Sequence, residues 1–172
     1  MENGTLTAFR LITATLLPVV LAAGLYQLER KTRLGKAKNW VRQVLAGLLF
    51  GGVAVLATEF GIPVDGATLN VRNTAILTAG LIFGGPAGIM AGVIGAVHRW
   101  FATYWGAGAF SQVACTIACV VAGFCGALCR RFMFDNKKTS WFYGLAIGLV
   151  VEVLHMLLVF ITNMNDIYTA YR

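Results

Sequence analysis

Charge is scarce in this sequence, where only 12% of 172 residues are Asp, Glu, Lys or Arg. A soluble domain carries about 25%, because its surface must be solvated, so a water-soluble globule is excluded. Groups that could move a proton are scarcer still. There are two histidines and 7 acidic residues, and no stretch reads GxSxG, HExxH or as a phosphate-binding loop. No Cys–His dyad has an evident third partner in the sequence, so no catalytic residues are assigned and an enzyme is not expected. The four cysteines (Cys115, Cys119, Cys125, Cys129) fall on one apolar run without zinc-ligand spacing. They read as small packing residues inside a helix, and neither a metal nor another cofactor is expected. The chain also lacks an internal repeat, a low-complexity linker and any second domain, so residues 1–172 read as one transmembrane domain.

What is abundant is apolar sequence, 58% of the chain, in long runs separated by short polar connections. That pattern predicts an all-α polytopic membrane protein of about six transmembrane helices. The first span runs from Leu6 to Leu28. It is read as retained, since its basic segment follows the run instead of preceding it, and Arg10 can snorkel to the headgroups. The second span covers Val41 to Phe60 and ends at the turn GIPVDG. The third and fourth form a helical hairpin, NVRNTAILTAGLIFGG then PAGIMAGVIGAVHRWFATYW, broken at Gly84, Gly85 and Pro86. The fifth covers Phe110 to Leu128 and the sixth Trp141 to Ile161.

The net charge of +7 would suggest nucleic acid in a soluble protein, but here its placement is topological and no nucleic-acid partner is expected. Arg30, Lys31, Arg33, Lys36, Lys38 and Arg42 lie between the first two spans; Arg130, Arg131, Lys137 and Lys138 lie between the last two. These ten of the 14 cations belong on the cytoplasmic side, which puts the N-terminus outside. Gly80, Gly84, Gly88 and Gly92 recur every fourth residue, with Ala91 and Gly95 continuing the series, as closely packed membrane helices require.

Ionisable groups at membrane depth cost about 2.5 to 3.5 kcal/mol each on insertion scales. Arg72, Arg99 beside His98, Glu152 and His155 therefore each need a reason. Arg72 precedes Gly85 by as many residues as Arg99 follows Pro86, so an antiparallel hairpin lifts both to one level, about 20 Å from the turn. Three readings remain open: a shared anion held by two planar guanidinium forks, independent snorkelling to phosphates, or pairing with Glu59 and Asp65. Glu152 falls near mid-bilayer, with His155 one turn on, and the pair could share a hydrogen bond as a polar packing contact or a proton-sensitive spot.

The stretch LNVRNTAILTAGLIFGGPAGIMAGVIGAVHRW closely resembles the LytS/YhcK-type five-transmembrane receptor domain (5TM-5TMR_LYT). It supplies that family's Asn-x-Arg (Asn70, Arg72), Gly-Leu (Gly80, Leu81), Gly-Gly-Pro turn, Gly-rich helix (Gly88, Gly92) and His-Arg pair (His98, Arg99). SQVACTIACVVAGFCGALCRR resembles the next helix, and VVEVLHMLL resembles a later Glu-x-x-His-Met segment. The match covers about residues 41 to 160.

The resemblance implies a sensory domain of a bacterial cytoplasmic membrane, joined to a cytoplasmic output domain such as a histidine kinase, cyclic-di-nucleotide enzyme or phosphatase. The chain is accordingly expected to be a fragment of a longer receptor or an isolated sensor, with a homodimer among its candidate partners. The resemblance also implies a small carboxylate ligand held by Arg72, Arg99 and Cys115. The family's serine position falls on Ala118, a departure for which Thr116 or Gln112 offers a substitute. Asn70 and His98 join this candidate ligand set, and Glu152 with His155 forms a signalling or polar-core pair. The alternative is a substrate-binding subunit of an energy-coupling vitamin transporter, also a six-helix protein of about this size.

Labelling with a membrane-impermeant thiol reagent tests the topology. Applied from outside, it should modify Asp65→Cys but not Lys36→Cys; the reverse pattern contradicts the charge-based layout.

Overall fold

A computed structural model describes residues 4–31, 37–64, 67–69, 71–106, 108–137 and 139–164. The Arg10 side chain, Asn70 and Asp65 lie outside the described residues. Among these residues six α-helices follow in order: α1 (Gly4–Lys31), α2 (Asn39–Glu59), α3 (Arg72–Thr78), α4 (Gly85–Ala102), α5 (Gln112–Leu128) and α6 (Trp141–Thr162). They form the helical membrane bundle that the apolar runs predict. Among the described residues, three helices are long and apolar enough to cross a membrane: Asn39–Glu59, Ala109–Met133 and Trp141–Thr162.

Two features depart from a plain run of helices. Where the sequence suggests only a turn after α2, strands β1 (Ile62–Val64) and β2 (Ala67–Leu69) pair antiparallel, with Ile62 opposite Leu69. The third span is also not a continuous α-helix. After Thr78 it widens into a π-helical turn, Ala79–Phe83, closed by the Gly84 N–H donating to the Ala79 carbonyl at 3.2 Å. Those two pieces together rise only about 18 Å, short of the roughly 30 Å hydrocarbon core. Both ends of α3 therefore have to be supported by protein.

Support comes from glycine-mediated approach around α4. A Cβ on Gly88 would stand 2.6 Å from the Gly80 Cα, and one on Gly92 2.7 Å from the Cys119 carbonyl oxygen. On the opposite side of α4, Met90 and Ile94 fill the space left by Gly47 and Gly51 of α2. The hairpin turn needs glycine as well, since Gly84 adopts φ 141°, a region closed to most side chains. The core is accordingly small-residue rich, with Ala46, Ala54, Ala75, Ala79, Ala87 and Ala91 around Phe50 and Ile76. The last helix is different, because Val151 is its one buried residue.

Gly88→Ala should destabilise the bundle by about 1–3 kcal/mol, because backbone on two sides cannot yield. Gly52→Ala, with nothing within 4 Å, should be near neutral. Thermal unfolding in detergent checks this; equal effects would contradict the packing.

Candidate functional site

Arg72 opens α3 and Arg99 stands in the last turn of α4, so the antiparallel pair carries both to the same end of the bundle. Neither side chain reaches water; their relative exposures are 0% and 1%. The Arg72 stem lies against α4 at Gly95, where an added Cβ would come within 3.7 Å of its Cδ. Its Nη1 donates to the Thr58 hydroxyl at 3.0 Å. Thr58 in turn donates to the Ala54 carbonyl at 3.0 Å, which leaves its oxygen lone pairs for the guanidinium. Arg99 Nη2 donates to the Gly108 carbonyl at 2.6 Å and to the Ser111 hydroxyl at 3.3 Å. The positive charge of both arginines is felt at the Cys119 thiol of α5, that of Arg72 the more strongly; the thiol itself donates to the Cys115 carbonyl at 3.1 Å.

One turn earlier on α5, Cys115 links this end to α6. Its Sγ lies 3.3 Å from His155 Nε2, and Ser111 stands four residues before it, at the start of α5. His155 Nδ1 lies 3.2 Å from Glu152 Oε2, and Asn73 Nδ2 donates to Glu152 Oε1 at 3.2 Å. With the proton on Nδ1, His155 donates to the carboxylate and its Nε2 accepts from the thiol; the other tautomer reverses the thiol contact. A Cys–His–carboxylate line thus exists across two helices, contrary to the sequence reading that no such dyad has a third partner. Chemically it can hold and relay a proton. It also provides the polar attachment of α6 to α3 and α5.

The other candidates stand elsewhere. His98 Nε2 pairs with Glu59 Oε1 at 3.1 Å, and Trp105 Nε1 donates to the same oxygen at 3.0 Å. Glu59 is therefore engaged at the rim by these two groups. Gln112 donates to the Trp100 carbonyl at 2.9 Å, and Thr116 bonds back to the Gln112 carbonyl at 2.8 Å. Neither of these bonds goes to an arginine. The hydroxyl that bonds Arg99 is that of Ser111. Thr58, Asn73 and Ser111 escaped the sequence reading; only Ser111 carried a local signal, its i−4 spacing from Cys115 on one helix face.

Residues 25–170 match the family model described as "5TMR of 5TMR-LYT". The chain belongs to this family. Sensor histidine kinase YpdA of Escherichia coli (strain K12) is 31% identical over 129 residues, 74% of this chain and 22% of that protein. Sensor histidine kinase BtsS of the same strain is 24% identical over 119 residues, 67% of this chain and 20% of that protein. The chain thus spans about a fifth of the length of these curated relatives. No solved structure gives a significant match.

Within this receptor domain the Asn73–Glu152 contact should be measurable by a double-mutant cycle. Polar contacts between membrane helices couple by about 0.6 kcal/mol on average and up to about 1.7. An Asn73→Ala, Glu152→Ala cycle in unfolding free energy should fall in that range; zero coupling would contradict the contact.

Proposed function

We propose that this chain is the membrane-embedded sensing segment of a bacterial signalling receptor, and that it binds a small carboxylate between Arg72 and Arg99. The observation that carries the reading is the burial of two guanidinium groups at the same end of one helical hairpin. Two cations brought together in a low dielectric repel each other, and a carboxylate between them relieves that repulsion while accepting paired hydrogen bonds. Glu59 is held by His98 and Trp105, which weighs against it as that counter-ion. The relatives' names as sensor histidine kinases support a signalling role over a transporter subunit.

Transmission then runs through α5 to α6. An anion drawing on Arg99 competes with the Gly108 carbonyl and Ser111 for the same N–H groups. Ser111 neighbours Cys115, which contacts His155. Because α6 buries only Val151, its position depends heavily on these polar contacts, and a change at Cys115 is felt there. The output lies on the side of the basic segments, which the charge rule assigns to the cytoplasm.

Calorimetric titration of the purified chain with acetate, lactate, pyruvate and succinate tests the site. Arg72→Lys or Arg99→Lys should weaken binding about 10- to 150-fold, since Lys keeps the charge and loses the fork. Arg→Ala should do at least as much harm, Cys115→Ala less, and His155→Ala should alter signalling more than binding. An anion that binds both Arg→Ala variants within about twofold of the parent affinity would overturn the carboxylate site. Failure of all four anions to bind would overturn it too, and would leave pairing with Asp65 as the reading of the arginines.

A further inference from the structure

The end of the bundle opposite Arg72 and Arg99 contains a second concentration of positive charge, and it is built around a cavity. About 400 Å³ in volume, this cavity lies between the starts of α2 and α4 and the end of α5, lined among others by Asn39, Arg42, Gln43, Gly85, Arg130 and Asn136. Among the described residues no acidic side chain lines it.

Four observations bear on what it holds. Both helices that begin there, α2 and α4, lack a side-chain cap, so first-turn amides and the positive ends of two helix dipoles face one space. Gln43 Oε1 is buried without a hydrogen-bond partner among the described residues, a state that buried amides avoid. Its neighbour across the cavity mouth is Gly84, where a Cβ would press to 2.8 Å of Gln43 Cδ, so the amide is confined there. Arg130 is pinned by donating to the Leu81 carbonyl at 2.8 Å and the Asn136 carbonyl at 3.1 Å. Those bonds use two of the five N–H groups a guanidinium offers.

The loop supporting Arg130 is itself shaped for this. Asp135 and Asn136 both adopt left-handed conformations, φ 47° and 60°, and the Asn136 N–H donates back to the Arg130 carbonyl at 2.9 Å. The turn folds over the arginine and brings the Asn136 side to the cavity wall.

The geometry points to a phosphate-binding site at this end of the bundle, formed by Arg42, Arg130 and the starts of α2 and α4. Phosphate fits better than carboxylate, because a tetrahedral anion presents oxygens to several elements at once while a planar one serves a single fork. A hydroxyl on the phosphate or its ester would meet the Gln43 carbonyl oxygen; with the amide turned over, its NH₂ would meet a phosphate oxygen. The charge rule sets this end at the cytoplasmic headgroup level, where basic pockets between helices take anionic lipid headgroups. The shared chemistry is a phosphate mono- or diester, from a phospholipid or from solution. This site is independent of the carboxylate site and stands or falls separately.

Native mass spectrometry of the full chain tests it after exchange into mixed micelles with equal phosphatidylglycerol and phosphatidylcholine. Preferential retention of phosphatidylglycerol, reduced about tenfold by Arg42→Gln but not by Arg131→Gln, supports a lipid headgroup. Inorganic phosphate or glycerol phosphate that binds and displaces the lipid supports a soluble source of the same chemistry. Asn39→Asp provides a second arm that keeps the fold, because a carboxylate at the start of α2 favours the helix while repelling phosphate; it should also abolish retention. Equal retention of both lipids without phosphate binding would overturn the site. So would equal losses from Arg42→Gln and Arg131→Gln, which would mean surface charge alone.

Discussion

Two guanidinium groups excluded from water at one end of a helical hairpin set the terms for this bundle. A charge removed from water without compensation costs several kcal/mol, and here two are removed on adjacent helices. The compensation draws in most of the surrounding elements. The second helix contributes Thr58, its hydroxyl oriented by the Ala54 carbonyl. The segment before the fifth contributes the Gly108 carbonyl and Ser111. Gly95 leaves the space through which the Arg72 stem passes. An alanine-rich core could tolerate many rearrangements, but donors and acceptors around a buried cation have far fewer arrangements open to them.

The same constraint divides the bundle into a tight part and a loose part. The fourth helix packs through glycines at backbone contact distance against the third span and the fifth helix, as Gly88 and Gly92 illustrate, and side chains of the fourth helix fill the space at Gly47 and Gly51 of the second. The sixth helix has no such seam. Gly144 and Gly148 meet nothing within 4 Å, and an apolar groove of about 530 Å³ separates that half of the helix from Thr74, Thr78 and Leu81. Its attachment is instead polar and central, through Glu152 to Asn73 and His155 to Cys115. A helix held by a few hydrogen bonds to a rigid frame is suited to report a change in those bonds. In that respect the architecture suits a receptor, where a binding event must move something without disturbing the rest.

Much of this was legible in the sequence because membrane helices advertise themselves. Apolar runs, basic connections and the four-residue glycine spacing are local signals, and the level placement of Arg72 and Arg99 follows from counting along a hairpin. Pairings between distant helices are another matter. Asn73 meets Glu152 from 79 positions away, and no periodicity announces it. Nor did the sequence foretell that Cys115 and His155 would meet, or that Glu59 would turn to His98 and Trp105 and not to an arginine. The π-turn at Ala79–Phe83 was hidden too, because the residues packed around it are distant in sequence: Gly126 against Gly80, and Arg130 on the Leu81 carbonyl. The His98, Gln112 and Thr116 side chains were likewise not legible in their partners: their bonds run to Glu59, the Trp100 carbonyl and the Gln112 carbonyl and not to an arginine.

The central claim is that Arg72 and Arg99 are both buried, both charged and jointly available to one anion. Guanidinium ¹⁵N–¹H nuclear magnetic resonance of the purified chain measures this directly, with the two signals assigned by their loss in Arg72→Lys and Arg99→Lys. The account predicts two slowly exchanging guanidinium groups, both shifting together as one of the small carboxylates is titrated in. Rapid exchange at both groups with no shift on adding any carboxylate would contradict it.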